Sequence, residues 1–177
     1  MPSARQTAGG AAALAAALTI SGPVIQKWEG KVNDPYWDLA HVRSVCWGET
    51  RGVQERHYSD AECLAMFRNS QAEHGREIQA CLPPLVPVPT LAAFIVFAYN
   101  VGVTNACKST AARRVWAGDV AGGCNALLAW NKVRQVRRDA NGLLVTSYVV
   151  KQGLANRRAE ERALCLQGAP MSIARSS

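Results

Sequence analysis

The chain opens on a stretch of 21 uncharged residues between Arg5 and Lys27. That length suffices for one helical crossing of a bilayer. The stretch is weakly apolar, with seven Ala, three Gly and only Leu14, Leu18, Ile20, Val24 and Ile25 as strong hydrophobes. Three readings fit it: a cleavable signal peptide with Arg5 as its basic end and a small-residue site near Ala15–Ala17, a weak uncleaved anchor, or an Ala-rich helix of a cytosolic domain. Beyond it, residues 32–58 lack helical period and are rich in Gly, Pro, aromatic and β-branched residues, which predicts a small β-ribbon with loops. Ser59-Asp60-Ala61-Glu62 predicts a capping box opening a helix to about Ala80, with Leu64, Phe67 and Ile78 buried. Pro83, Pro84, Pro87 and Pro89 bar helix until Thr90. Residues 90–101 are apolar on every side but too short to span a membrane, so they predict a central buried helix ending at Gly102. Short helices follow over 109–117 and 120–130. A hairpin over 132–150 turns at Asn141-Gly142, and a last helix covers about 154–166. A small β-part followed mainly by helices predicts an α+β domain.

Length and composition narrow the class. The chain has 177 residues, 49% of them hydrophobic, which suits one folded domain and excludes a disordered chain. Residues 131–177 hold nine basic and three acidic residues, so almost the whole net charge of +7 lies in the last quarter. Lys132-Val133-Arg134-Gln135-Val136-Arg137-Arg138 has no interleaved aromatics, so no nucleic-acid partner is expected. Two readings of this basic stretch stay open: attraction to anionic cell-wall or outer-membrane components, and a solvated like-charged hairpin. The six cysteines, Cys46, Cys63, Cys81, Cys107, Cys124 and Cys165, contain no C-x-x-C pair. They favour three disulfides and an oxidising compartment over a zinc or redox site, and so count against the cytosolic reading of the N-terminal stretch.

The candidate chemistry is a pair of carboxylates. His41, His57 and His74 have no metal-ligand spacing and read as surface or loop residues, and nucleophile-elbow, P-loop and dinucleotide glycine patterns are missing. The pattern calls for no metal and no cofactor. Polysaccharide hydrolysis needs one carboxylic acid and one carboxylate. Glu29 follows Trp28 directly, where the apolar stretch meets the β-part, and an aromatic neighbour would give it an apolar setting. Asp38 comes nine residues later and Ser44 six after that. A hairpin turning around His41 would set Asp38 opposite Ser44, about 5 Å apart, where a hydroxyl could orient the carboxylate or hold a water.

These residues resemble the phage lysozymes of glycoside hydrolase family 24, whose pattern is Glu, eight residues, Asp or Cys, five residues, Thr. Here it reads Glu29, Asp38, Ser44, with Trp28-Glu29-Gly30 and Ser44-Val45-Cys46-Trp47-Gly48-Glu49-Thr50 around it. Tyr99-Asn100-Val101-Gly102 resembles the end of the family's central helix, and Gly153-Leu154-Ala155-Asn156-Arg157-Arg158-Ala159-Glu160-Glu161 its C-terminal block. With the weakly apolar N-terminus, the chain is similar to the signal-arrest-release endolysins of the lambdoid phage 21 type. Three departures stand out: Ser44 replaces Thr, Glu49 replaces a common His, and 132–150 is longer than the family loop.

The resemblance implies a lysozyme-like fold and a muramidase that cuts the β-1,4 bond between N-acetylmuramic acid and N-acetylglucosamine in peptidoglycan, causing lysis and phage release. Glu29 would be the acid, Asp38 the base or charge stabiliser, and Ser44 the positioning hydroxyl; the working choice is direct attack by water. A lytic transglycosylase on the same bond and a non-catalytic cell-wall binding module are the alternatives. It implies residues 1–26 as a signal-arrest-release segment and 27–170 as the catalytic domain, with 131–152 as a basic elaboration. The phage protein would be exported by the host, tethered to the inner membrane, then released as an active monomer in the periplasm. None of the first 30 residues is Cys, so release and refolding rather than thiol exchange would activate it. Of 15 possible disulfide pairings, the expected set is Cys46–Cys63, Cys81–Cys107 and Cys124–Cys165.

Overall fold

Helix α3, Val88–Val101, runs through the middle of the molecule, and every side chain from Thr90 to Ala98 is buried. A helix apolar all round can only be stable when surrounded, and α1 (Ala4–Glu29), α2 (Asp60–Ala80) and α7 (Gln152–Leu166) pack around it. The computed structural model describes residues 4–38 and 41–169; Pro170, at the expected end of the catalytic domain, and residues 1–3 of the expected N-terminal segment lie outside them. Helix α3 starts two residues earlier than the proline argument allows. Pro87 is the N-cap and Pro89 sits in the first turn, where an amide N–H has no helical acceptor to lose. Gly102 ends the helix at φ 82°, a conformation that favours glycine.

Helix α1, Ala4–Glu29, runs unbroken through Lys27 and Trp28, and Glu29 is its last residue. It tolerates Pro23 in its interior. Two short strands follow, β1 (Val32–Trp37) and β2 (Arg43–Cys46), paired antiparallel. Helix α2, Asp60–Ala80, opens with the expected capping box: Ser59 Oγ accepts the Glu62 N–H, and the Glu62 carboxylate accepts the Ser59 N–H. Phe67 and Ile78 are buried, but Leu64 is only half-buried.

After α3 come α4 (Val103–Lys108), α5 (Thr110–Trp116), α6 (Val120–Ala126) and a single 3-10 turn over 127–129. The sequence pattern missed α4. Its Val103-Thr104-Asn105 start has poor helix propensity, and its Cys107 is tied to Cys81 at the end of α2. Strands β3 (Lys132–Arg138) and β4 (Leu144–Val150) form the hairpin, and α7 (Gln152–Leu166) closes the fold. The three disulfides are Cys46–Cys63, Cys81–Cys107 and Cys124–Cys165, the expected pairs. The whole is the expected lysozyme-like α+β arrangement: a small β-lobe, a mainly helical lobe and an N-terminal Ala/Gly-rich helix packed against both α2 and α3.

Candidate active site

Glu29 reaches the site because α1 ends there. Its Oε1 lies 2.7 Å from Arg157 Nη1, and its side chain is 24% exposed against 5% for Arg157. Trp28 directs its N–H to α7: its Nε1 donates to Glu160 Oε2 at 2.8 Å, and Lys27 pairs with the same carboxylate. The partner of Glu29 is a guanidinium from the far end of the chain.

That guanidinium belongs to a buried network on α7. Arg157 Nε lies 3.2 Å from Glu161 Oε1, and Arg158 Nη2 lies 2.6 Å from the same oxygen. Arg158 also donates to Asn100 Oδ1 at 3.0 Å and stacks over the Phe97 ring. Burial pushes the Glu161 carboxyl up to about 7, against the pull of Arg158 and Arg157. Burial likewise lowers Arg158 to about 10, opposed by Glu161. Helical spacing puts Arg157, Arg158 and Glu161 on neighbouring positions of one turn, so the network is built within α7 and aimed as a unit at the end of α1.

Asp38 stands at the tip of the β1–β2 hairpin. Its Oδ1 accepts the Val42 N–H at 2.8 Å, and its own N–H donates to the Val42 carbonyl at 3.0 Å. The expected register is therefore corrected. Tyr36 pairs with Ser44 and Trp37 with Arg43, so position 38 falls opposite 42, not 44. The cause is turn chemistry: the Asp38 carboxylate closes the loop itself, and His41 takes a left-handed φ of 57°. Ser44 becomes a diagonal neighbour of Asp38. It is buried, and its Oγ donates to the Val42 carbonyl at 3.3 Å, so it braces the residue that Asp38 holds.

Tyr36 and Glu49 are the residues sequence reasoning missed. The Tyr36 phenol is pushed up first by burial and then by the negative charge of Asp38, Glu29 and Glu49 in turn, so all three carboxylates act on it electrostatically. Glu49 is buried after β2. Its Oε1 accepts the Tyr99 hydroxyl at 2.9 Å and its Oε2 the Trp47 N–H at 2.8 Å. Burial raises the Glu49 carboxyl, these hydrogen bonds oppose the rise, and Glu29 adds to it. Tyr99 in turn is raised by burial and by Glu49. The signal for Glu49 was its place in the Trp47-Gly48-Glu49-Thr50 block, but nothing local tells a buried carboxyl from a solvated one.

A cleft of about 420 Å³ continues from Glu49 and Tyr99, lined also by Thr50, Arg51, Glu73 and His74. His74 is not the loop or surface residue expected. It lies within α2, half-buried, with its ring 5.0 Å from that of Tyr99. His41 and His57 are exposed. Among the described residues, no cluster of three or more His, Cys, Asp or Glu is placed to hold a metal ion.

Two lobes, with Glu29 at the end of a long helix and Asp38 at the tip of the hairpin that follows it, define the class of lysozyme-like proteins. The chain belongs to the phage lysozyme family, whose model matches residues 26–161. It is 34% identical to the SAR-endolysin of Bacteriophage PS119, over 90% of this chain and 89% of that protein. The SAR-endolysin of Enterobacteria phage P21 is likewise 34% identical, over 90% of each. In fold it is similar to the muramidase domain of SpmX from Asticaccaulis excentricus, with a TM-score of 0.71 at 20% identity over 82% of this chain and 94% of that one.

Proposed function

We propose that the protein is an endolysin with muramidase activity, hydrolysing the β-1,4 bond between N-acetylmuramic acid and N-acetylglucosamine in peptidoglycan. The observation that supports this most is Glu29 at the end of α1, paired with Arg157 at 2.7 Å. Glu29 gives its proton to the glycosidic oxygen as the carbon–oxygen bond breaks, and the leaving sugar departs as an alcohol. Arg157 then faces the new Glu29 carboxylate and stabilises it. Water attacks the anomeric carbon, and Asp38 takes the proton that water loses. Ser44 holds the hairpin tip through Val42. Arg157, Arg158 and Glu161 act through Glu29 and are positioning residues.

The same reading assigns residues 1–26 as a signal-arrest-release segment and 27–170 as the catalytic domain, with 131–152 an added hairpin. Residues 9–29 form a helix long and apolar enough to cross a membrane, and here it packs on the body. Glu29 ends that helix, so inserting it into the bilayer takes the acid away from Arg157. The protein waits at the inner membrane and works in the periplasm, as a monomer, once the helix has left the bilayer. Mass spectrometry of products from purified sacculi tests the chemistry. Reducing muramic acid ends are expected; anhydro-muramic ends would replace hydrolysis with a transglycosylase reaction.

A further inference from the structure

The β3–β4 ribbon has no part in the chemistry and packs chiefly on itself. An isolated two-stranded ribbon gains little stability in water, so its composition calls for a partner. Seven of the molecule's 14 exposed large apolar side chains, among the described residues, lie in 132–150. Leu143, Leu144 and Tyr148 are each about two-thirds exposed, at 66%, 66% and 67%.

The register sorts these side chains onto faces. Lys132 pairs with Val150, Arg134 with Tyr148, Val136 with Thr146 and Arg138 with Leu144. One face therefore alternates cations with apolar groups across the strands. The charge is one-sided: residues 132–151 carry Lys132, Arg134, Arg137, Arg138 and Lys151 against Asp139 alone. Asp139 is committed to the turn, where its Oδ1 accepts the Asn141 and Leu143 N–H groups at 2.8 and 2.9 Å. Among the described residues, none of the five cations is in an ion pair.

We propose that this ribbon is a peripheral membrane-binding element that lays its Lys132, Arg134 and Arg138 face, with Leu144, Tyr148 and Val150, on an anionic phospholipid bilayer. The chemistry favours this occupant. A glycan strand would not repay exposed leucines, and a second copy would bring like charge against like. A bilayer offers phosphates for the cations and acyl chains for the apolar groups a few ångströms deeper. The proposal is independent of which residues carry out hydrolysis.

Vesicle co-sedimentation of the purified full-length protein tests it, comparing phosphatidylglycerol–phosphatidylcholine vesicles with phosphatidylcholine alone. The N-terminal helix is common to every variant, so differences report on the ribbon. Lys132→Ser/Arg134→Ser/Arg138→Ser is expected to bind the anionic vesicles about a hundredfold more weakly. Leu144→Ser/Tyr148→Ser is expected to weaken binding at least about tenfold and leave a remainder that salt displaces fully. Both variants should digest sacculi in vesicle-free buffer at the wild-type rate, which also shows that they fold. Wild-type vesicle binding by both variants, equal wild-type binding to neutral and anionic vesicles, or loss of sacculus binding in place of vesicle binding would each overturn the proposal.

Discussion

Glu29 is held by a side chain 128 positions away, and that separation explains what could and could not be read residue by residue. Spacing brought Glu29, Asp38 and Ser44 forward, because their relation is local. Arg157 and Glu161 were visible only as letters in a matching block, since pairing α7 with the end of α1 needs the whole fold. Replacing Arg157 with Met leaves Glu161 one guanidinium short and should destabilise the protein by about 3–5 kcal/mol, read from denaturant melts. Arg157→Lys keeps the charge but not the fork. It should stay folded and lose up to about a hundredfold in kcat, with KM little changed. Glu161 carries a pH signature. Its folded value of about 7 lies above the ordinary 4.5, so between these values the folded state holds a proton that the unfolded chain has released. Its contribution therefore lowers stability as pH rises from 4.5 to 7. Melts of Glu161→Gln across that window should show a shallower decline than the wild type.

At the scale of elements, pattern served best where one rule decided the outcome. The capping box at Ser59, the all-apolar α3 and the Asn141-Gly142 turn each follow from local chemistry. The Asp38–Ser44 register did not, because the turn is set by a hydrogen bond from Val42 to the Asp38 carboxylate rather than by strand alternation. Helix α1 shows how a marginal segment docks. Gln71, Gly75 and Gln79 lie four residues apart on one face of α2. Gln71 Nε2 donates to the Leu18 carbonyl and to Ser21 Oγ, both at 2.8 Å, and Gln79 Nε2 to the Gly10 carbonyl at 2.9 Å. Between them, a Cβ on Gly75 would stand 3.0 Å from both Leu14 and Leu18. Gly75→Leu should therefore push α1 off its seat at a cost of about 1–3 kcal/mol. Thermal melts and proteolysis at the α1–β1 junction would register the loss.

For the whole molecule, the disulfides join parts that the chain order leaves separate. Cys46–Cys63 links the β-lobe to α2, Cys81–Cys107 links α2 to α4, and Cys124–Cys165 links α6 to α7. Each closes a loop whose restriction in the unfolded chain stabilises the fold by about 3–4 kcal/mol. Reduction should lower the Tm by more than about 10 °C, checked by scanning calorimetry with and without a thiol reductant. An even cysteine count pointed to export, and the proposed release of α1 from the bilayer would give such export a purpose. The central claim is that Glu29 is the acid. It is tested most directly by reducing-end release from purified sacculi, comparing wild type with Glu29→Gln of matched circular dichroism. A loss of at least about a hundredfold is expected. A folded Glu29→Gln protein releasing ends at near the wild-type rate would contradict it.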